Sequence, residues 1–374
     1  MADPFELWRV AWLTAIERGM EQISEAMPGT AALDPRGQAD RFDLSGFPVF
    51  DRIRIELATM LMLEHRARPR AHLAPLLIVA PYAVHEASIA DFAERHSLAQ
   101  VLAESGCGGL ALTYWKSATA EMRNYGVDAY LSDLNVAVDE LGGRARLVGL
   151  CQGGWLAAAY AARFPAKVAK LVLAGAPIDL SAAESRITQT LMSVSPAMIA
   201  QGMALAGGRV SGPMSLVLGS DDLSREFNAE AALQCVDDPA MARKFDAWNA
   251  RTVDLPGAYF LQVCEWLFRE NRLAQGRFPA LGRQVGLGDI EAPIFVLAAA
   301  EDEVVSPPQA LAVKALCPKT PVETRVAPGR HLSLFMGSRT LRSAWKDIAR
   351  WLNACDAAPP RAHRAGLSAT TGAP

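Results

Sequence analysis

The stretch RLVGLCQGGWLAAAYAARFP (146–165) decides the fold, because a short apolar strand runs directly into a helix within it. At the junction, GLCQGG (149–154) matches the Gly-x-nucleophile-x-Gly pattern of a nucleophile elbow, with Cys151 in the nucleophile position. The sharp turn needs small residues on both sides of the nucleophile, and the start of a helix favours a thiolate. The pattern therefore predicts Cys151 as a catalytic nucleophile. The alternative is a buried structural cysteine beside a tight turn.

Apolar strands and helices alternate on both sides of this junction. Strands this apolar need cover on both faces, so the pattern predicts an α/β fold with a mostly parallel central sheet and helices on both faces. The alternation stops over 180–285, which predicts a helical cap above the sheet edge where α/β proteins bind ligands. Strands are expected over 75–81, 109–115, 146–150, 170–177, 293–300 and 322–327, and helices over 98–106, 127–141, 152–165, 307–316 and 339–353.

The remaining segments complete the predicted domain organisation. Residues 5–27 have the apolar spacing of an amphipathic helix, and a second helix is expected over 50–64. The C-terminal residues are small and rich in proline, which predicts disorder. The predicted division is an N-terminal helical extension (1–69), an α/β core (70–179 and 286–353), a cap insertion (180–285) and a disordered tail (354–374).

Composition excludes several classes of function. The 374 residues carry a formal net charge of −3, so a basic surface for nucleic acid is not expected. The six cysteines are scattered without a Cys-x-x-Cys pair, which argues against a zinc site or a disulfide framework and favours a cytoplasmic protein. The first residues lack the layout of a signal peptide, and no apolar window approaches the ~18 residues of a transmembrane helix.

A cysteine nucleophile needs a base and an acid that orients the base. In chain order, only His331 and His363 follow Cys151, and His363 lies in the predicted tail. His331 follows the strand at 322–327, which is where the base of such a triad is expected. The acid should follow the preceding strand, and we expect it to be Asp302, with the adjacent Glu301 as the competing candidate.

The remaining candidate site residues surround the elbow. Backbone N–H groups of Gln152 and of Tyr82 or Ala83 are expected to form an oxyanion hole. His85 and Trp155 are expected to contact the substrate, although a structural capping role for His85 is an equal alternative. The sequence contains no P-loop, no Gly-x-Gly-x-x-Gly and no cluster with metal-ligand spacing, so neither a metal nor a nucleotide cofactor is expected.

Taken together, these motifs resemble those of the bacterial polyhydroxyalkanoate (PHA) enzymes, over roughly residues 70–353. This group contains intracellular depolymerases and cysteine-dependent synthases, both of which have the α/β-hydrolase fold and a Cys-Asp-His triad. By position, the resemblance implies that Cys151 is the nucleophile, Asp302 the acid and His331 the base.

Different segments resemble different branches of this group. GLCQGG, together with YAARFPAKV (160–168), is similar to the smaller synthases that work with a second subunit. Two positions depart from the usual patterns: Glu303 stands where synthases typically have His, and Arg330 stands where small residues are usual. Similarity to the depolymerases is carried by APYAVHEASI (80–89), LAGAPIDL (173–180), residues 245–276 of the predicted cap, GRQVGLGDI (282–290) and PGRHLSLFMGSR (328–339).

The resemblance implies a function, with alternatives. The main expectation is a cytoplasmic cysteine-dependent hydrolase that cleaves the ester bonds of poly(3-hydroxyalkanoate), polyhydroxybutyrate or their oligomers through an acyl-enzyme. The alternative is a synthase-like acyltransferase that polymerises 3-hydroxyacyl-CoA, and a further alternative is a non-catalytic protein of the storage-granule surface. The implied partners are a polyester granule or a hydroxyacyl small molecule. Coenzyme A would be a co-substrate or leaving group, and a homo-oligomer is left open.

Overall fold

A computed structural model describes residues 42–66, 73–83, 85–184, 208–210, 228–235 and 238–354. The helix expected over 5–27, the tail residues from 355 onward and His363 lie outside the described residues. Parts of the predicted cap insertion (180–285), which we call the cap segment, also lie outside them, including residues 185–207 and 211–227.

An eight-stranded sheet forms the centre of the molecule, with the strand order β1-β2-β4-β3-β5-β6-β11-β12. Strands β4, β3, β5, β6, β11 and β12 run parallel, and β1 and β2 join them as an antiparallel hairpin beside β4. The strands are β1 (Arg52–Glu56), β2 (Met60–Glu64), β3 (Leu76–Val79), β4 (Leu110–Trp115), β5 (Ala145–Leu150), β6 (Val168–Ala174), β11 (Ile294–Ala299) and β12 (Val322–Ala327).

Helices and short ribbons surround this sheet. Every residue of β5 and of β11 is buried, so both faces of the sheet are covered at its centre. The core helices are α1 (Leu98–Glu104), α2 (Val127–Glu140), α3 (Gln152–Arg163), α7 (Pro307–Leu311), α8 (Val313–Leu316), α9 (Ser333–Met336), α10 (Ser338–Arg342) and α11 (Ala344–Asn353). The segment between β6 and β11 contributes β7 (Arg209–Val210), α4 (Ala229–Leu233), α5 (Pro239–Asn249), β8 (Leu255–Pro256), α6 (Gly257–Gln262), a π-helix (Val263–Arg269), β9 (Phe278–Ala280) and β10 (Arg283–Val285).

The prediction of a helix over 50–64 is wrong, because this segment forms the strands β1 and β2. The apolar residues fit a helical spacing, but every residue of β2 is buried, and the strand pairs with β4 along its whole length. A continuous apolar run of strand length cannot be told from a buried helix by periodicity alone. The predicted N-terminal extension therefore does not stay helical up to residue 69, since its residues 52–64 complete the central sheet.

The order of the strands fixes where a ligand can bind. From β3 the chain crosses to β4 on one side, and then returns to β5 on the other side of β3. The carboxyl ends of β3 and β5 therefore lie at the point where the winding reverses, which is where open α/β sheets bind ligands. Cys151 follows β5 and Tyr82 lies in the loop after β3, so the topology brings two predicted parts of the site to one place. Over the described part of the chain, no helix has the length and apolarity needed to cross a membrane.

Candidate active site

Cys151 occupies a strained turn between β5 and α3. Its backbone angles are φ 48° and ψ −118°, which is a region that residues other than glycine rarely adopt. The Cys151 N–H donates to the carbonyl oxygen of Ala174 at 2.9 Å, which ties the turn to the end of β6. Strain of this kind costs of order 1–3 kcal/mol and persists only where the surrounding structure enforces it. The side chain is half-buried at the start of α3.

The glycines of the elbow are required by close packing of the backbone. A Cβ at Gly149 would lie 2.6 Å from the Cα of Gly154, and one at Gly153 would lie 2.2 Å from the carbonyl oxygen of Val79. A Cβ at Gly154 would lie 2.3 Å from the Cβ of Ala176. Each distance is far below a van der Waals contact, so the helix can begin directly under Cys151 only when these positions are glycine.

His331 and Asp302 form a buried pair at the ends of β12 and β11. The His331 Nδ1 lies 2.8 Å from the Asp302 Oδ2, and the two side chains are only 4% and 0% exposed. The other carboxylate oxygen of Asp302 accepts hydrogen bonds from the N–H groups of Val304, at 2.9 Å, and Val305, at 2.7 Å. These two bonds hold the carboxylate in place beside the imidazole, so the structure brings together the predicted base and its predicted orienting acid.

The imidazole of His331 also faces Cys151. Burial lowers the His331 pKa, but the charges of Asp302 and Cys151 and hydrogen bonds to both outweigh it, so the pKa is raised well above 6.5. Since Nδ1 donates to the carboxylate, Nε2 is the nitrogen available to the thiol. The ring has room because Gly175, at φ +55°, has no side chain; a Cβ there would lie 3.1 Å from the His331 Cε1. The arrangement therefore allows the Cys151 thiol to pass its proton to the His331 imidazole, while Asp302 holds the opposite side of the ring.

The predicted oxyanion donors belong to the start of α3 and to the loop after β3. Gln152 is the first residue of α3, and the first amides of a helix have no acceptor within it. Tyr82 and Ala83 follow β3, and the contact of Gly153 with the end of that strand places the loop beside the helix start. The buried Tyr82 hydroxyl donates to the carbonyl oxygen of Lys116 at 3.0 Å, which fixes this loop, while Ala83 is half-buried.

Trp155 does not line an open pocket, and the prediction that it contacts substrate is corrected. Its side chain is fully buried, its indole N–H donates to the Gln152 Oε1 at 2.6 Å, and its ring packs on Tyr259 and Phe278. Trp155 lies one turn into α3, which is buried over residues 153–162. Its hydrogen bond to Gln152 instead orients the side chain of the residue next to the nucleophile.

His85 joins the loop after β3 to the cap segment. Its ring stacks on Trp248, with centroids 4.5 Å apart, and its Nε2 donates to the carbonyl oxygen of Asn249 at 3.1 Å. Burial lowers the pKa of His85 to about 4, so the ring is neutral at physiological pH. These contacts favour the structural alternative for His85 over a substrate contact.

The acidic residues beside Asp302 differ in their surroundings. Glu301 is exposed, so Asp302, and not its competitor, is the acid that reaches the imidazole. Glu303 forms an ion pair with Arg330, with 3.0 Å between Oε1 and the guanidinium nitrogen. The two positions that depart from the patterns of the resembled enzymes are thus partners of each other, on the solvent side of the Asp302–His331 pair.

Two features of the site escaped prediction from the sequence. Gly175 directly follows an apolar strand, and this position could have signalled close approach of another residue. Gln234, which binds the chain on both sides of His331, lies almost a hundred residues before it and matches no motif. Among the residues that the structure describes, no group of three His, Cys, Asp or Glu side chains could hold a metal ion.

A fold, a strained cysteine turn and a buried Asp–His pair define a class of protein, and comparison with known families agrees. The family model for the alpha/beta hydrolase fold matches residues 113–337, and the chain belongs to that family. Solved structures show the same fold. A soluble variant of monoglyceride lipase from Saccharomyces cerevisiae matches with a TM-score of 0.52 and 12% identity, over 85% of this chain and 99% of that one. The monoacylglycerol lipase of Paleococcus ferrophilus matches with a TM-score of 0.51 and 14% identity, over 78% of this chain and 98% of that one.

Curated relatives narrow the class. The protein of Allochromatium vinosum named poly(3-hydroxyalkanoate) polymerase subunit PhaC is 26% identical over 296 residues, covering 76% of this chain and 82% of the relative. The protein of the same name from Synechocystis is 27% identical over 295 residues, covering 75% and 77%. The resemblance to PHA enzymes is therefore confirmed, and the chain is an enzyme, either an ester hydrolase or a related acyltransferase. Since these relatives carry the name of a polymerase, they favour the alternative stated from the sequence over the depolymerase expectation.

Proposed function

We propose that the protein is a PHA synthase-like acyltransferase that uses Cys151 as its nucleophile and a 3-hydroxyacyl-CoA thioester as its acyl donor. The observation that carries this proposal is the buried Asp302–His331 pair, with His331 hydrogen-bonded to a cysteine on a nucleophile elbow. Similarity to proteins named poly(3-hydroxyalkanoate) polymerase subunit PhaC supports the choice of substrate class. In this proposal the protein acts in the cytoplasm at the surface of a polyester granule.

The first step forms an acyl-enzyme. His331 takes the proton of the Cys151 thiol, and the thiolate attacks the thioester carbonyl of the donor. The N–H groups of Gln152 and of Tyr82 or Ala83 stabilise the negative charge that develops on the carbonyl oxygen. The carbon–sulfur bond to coenzyme A then breaks, and the imidazolium returns its proton to the departing thiolate. Asp302 keeps the imidazole in the required tautomer and stabilises its charged form.

The second step transfers the acyl group to an alcohol. His331 removes the proton from the hydroxyl group of a hydroxyacyl chain, and the alkoxide oxygen attacks the acyl carbon on Cys151. An ester bond forms, the Cys151–acyl bond breaks, and the thiol regains its proton from His331. Water in the place of the alcohol would give hydrolysis by the same residues, so the acceptor, and not the triad, distinguishes a synthase from a depolymerase.

A product assay tests the proposal. The protein is incubated with 3-hydroxybutyryl-CoA, and separately with amorphous polyhydroxybutyrate granules, while released thiol, soluble hydroxyacid and polymer are measured. We expect thiol release together with a growing ester chain in the first incubation, and little soluble product in the second. Cys151→Ala serves as the control, because it removes the nucleophile and keeps the rest of the site.

Each other outcome contradicts part of the proposal. Soluble hydroxyacid from the granules, without polymer from the thioester, would favour the depolymerase. Equal thiol release by wild type and Cys151→Ala would remove Cys151 from the mechanism. Granule binding with no turnover of either substrate would favour the non-catalytic granule protein.

A further inference from the structure

The loop that carries His331 is closed at both ends by one side chain from the cap segment. Gln234 directly follows α4, and its Nε2 donates to the carbonyl oxygen of Pro328 at 3.1 Å, three residues before His331. Its Oε1 accepts hydrogen bonds from the N–H groups of Arg339, at 3.1 Å, and Thr340, at 3.0 Å, beyond the end of α9. A single amide therefore spans the two ends of the segment that holds the base.

This amide fits a cradle that only glycine permits. A Cβ at Gly329 would lie 2.6 Å from the Gln234 Nε2, and a Cβ at Gly337 would lie 2.7 Å from its Oε1. Gln234 itself has a left-handed backbone, with φ 53° and ψ 34°, which turns its side chain back toward the loop at the end of α4. Both the loop and Gln234 contribute to this fit. The loop has glycine at positions 329 and 337, and Gln234 adopts an unfavourable left-handed backbone conformation.

The next residue makes a second connection to the same segment. The Cys235 Sγ lies 3.8 Å from the Nε2 of His96, and the His96 Nδ1 donates to the carbonyl oxygen of Met336 at 2.8 Å. Met336 is the last residue of α9, which begins two residues after His331. Gln234 and Cys235 together therefore tie the cap segment to the helix that follows the base.

We propose that Gln234 is a positioning residue, which couples the cap segment to the orientation of the His331 imidazole. The inference rests on the role of His331 given in the proposed function, but not on the identity of the substrate. The loop is also held by the bond from the Glu301 N–H to the Gly329 carbonyl oxygen, at 3.0 Å, so the Gln234 amide and the acid loop fix Gly329 from two sides. When the Gln234 amide is lost, His331 keeps Asp302 as a partner but gains freedom to move away from Cys151.

The test uses the reactivity of Cys151, which needs no substrate. Gln234→Met has nearly the same length and the same backbone preference but cannot form the three hydrogen bonds described for the amide. Asn228→Ala is the matched control, because it removes the cap at the other end of α4, where the Asn228 side chain accepts from the Glu230 N–H at 2.8 Å. The rate of iodoacetamide labelling at Cys151 is measured by peptide mass spectrometry from pH 5 to 9 in the full chain, with the melting temperature recorded alongside.

Several titratable and charged groups lie around the His331 imidazole. Asp302 and Cys151 face His331, and the Glu303–Arg330 ion pair flanks them. We expect wild type and Asn228→Ala to retain labelling at pH 6. Gln234→Met should lose about tenfold in rate there, because an imidazolium displaced from Cys151 no longer stabilises its thiolate. At pH 9, where base in the solvent can take the Cys151 proton in place of the imidazole, the three rates should agree.

The outcomes separate the inference from the function on which it rests. If Gln234→Met follows the wild-type profile, with or without a lower melting temperature, Gln234 only stabilises the fold and the inference fails. If the wild type itself shows no labelling at pH 6, the Cys151–His331 pair is not formed and the proposed function fails with it. Should Gln234→Met not fold, Gln234→Glu replaces it. A protonated carboxyl can donate to the Pro328 oxygen, so its labelling relative to wild type should fall as the pH rises from 5 to 7; a constant ratio over this range would contradict the inference.

Discussion

Replacing Asp302 by Asn is the sharpest test of how the base is oriented. The Asn oxygen can keep the hydrogen bonds from the Val304 and Val305 N–H groups, so the fold of the loop should survive. The amide nitrogen would then face the His331 Nδ1, which is 2.8 Å from the replaced oxygen. Since an amide N–H can only donate, the imidazole must present a lone pair at Nδ1 and carry its proton at Nε2, which is the wrong tautomer to accept the Cys151 proton.

Two independent estimates give the size of the effect. With an effective dielectric constant of about 20, a carboxylate and an imidazolium separated by the 2.8 Å of this pair attract by about 6 kcal/mol. At 1.36 kcal/mol for each factor of ten, this is about 10⁴ in rate if the whole attraction is lost in the transition state. The same substitution in the triad of a serine protease lowers kcat by about 10⁴. We therefore expect acylation of Asp302→Asn to be slower by about 10⁴.

The assay is single-turnover thiol release from 3-hydroxybutyryl-CoA by enzyme in excess. Glu301→Gln is the matched control, because it removes a neighbouring exposed carboxylate that has no contact with the imidazole. We expect Glu301→Gln to stay within threefold of wild type. A loss of less than tenfold in Asp302→Asn, or a large loss in Glu301→Gln, would refute the assignment of Asp302 as the orienting acid.

Three further results follow from the strain, packing and charge of the site. Cys151→Gly should abolish turnover yet raise the free energy of unfolding by about 1 kcal/mol, because glycine adopts the φ of 48° without strain; urea unfolding that shows no gain would contradict the strained turn. Gly153→Ala should lower that free energy by about 3 kcal/mol, since its Cβ would lie 2.2 Å from the Val79 carbonyl oxygen; a variant as stable as wild type would contradict the packing. The raised pKa of His331 means that its ion pair with Asp302 stabilises the fold fully below about pH 6.5 and is lost as the pH rises through the raised value. The difference in the free energy of unfolding between wild type and His331→Gln should therefore decrease from neutral to alkaline pH. A difference that increases over this range would contradict the raised pKa of His331.

Local patterns predicted most of the core because each part of it has a local cause. The strand at 146–150 and the helix at 152–165 are joined by a turn whose glycines have packing reasons, so the motif and the structure agree. The segment 50–64 was predicted wrongly because its burial comes from pairing with β4, which is some fifty residues away. Strand pairing at this distance leaves no trace in the local period of apolar residues.

In the site too, residues placed by local patterns could be predicted, and residues placed by distant contacts could not. Cys151, Asp302 and His331 each lie just after a strand, and parallel strands bring their carboxyl ends to one edge, so their proximity follows from the pattern. Trp155 was misjudged because α3 is buried on all sides over residues 153–162, so a position one turn after the nucleophile does not expose a side chain to substrate. Gln234 could not be found at all, since its contacts join segments about a hundred residues apart and depend on glycine cradles in the other segment.

If Cys151 carries the acyl group, peptide mapping of the trapped intermediate will locate the group on this residue. The protein is mixed with 3-hydroxybutyryl-CoA, quenched in acid within the first turnover and digested, and the acyl adduct is located by mass spectrometry. We expect a thioester adduct on the peptide that contains Cys151, which is removed by hydroxylamine and absent in Cys151→Ala. An adduct on another residue, or thiol release with no adduct on Cys151 at any quench time, would contradict it.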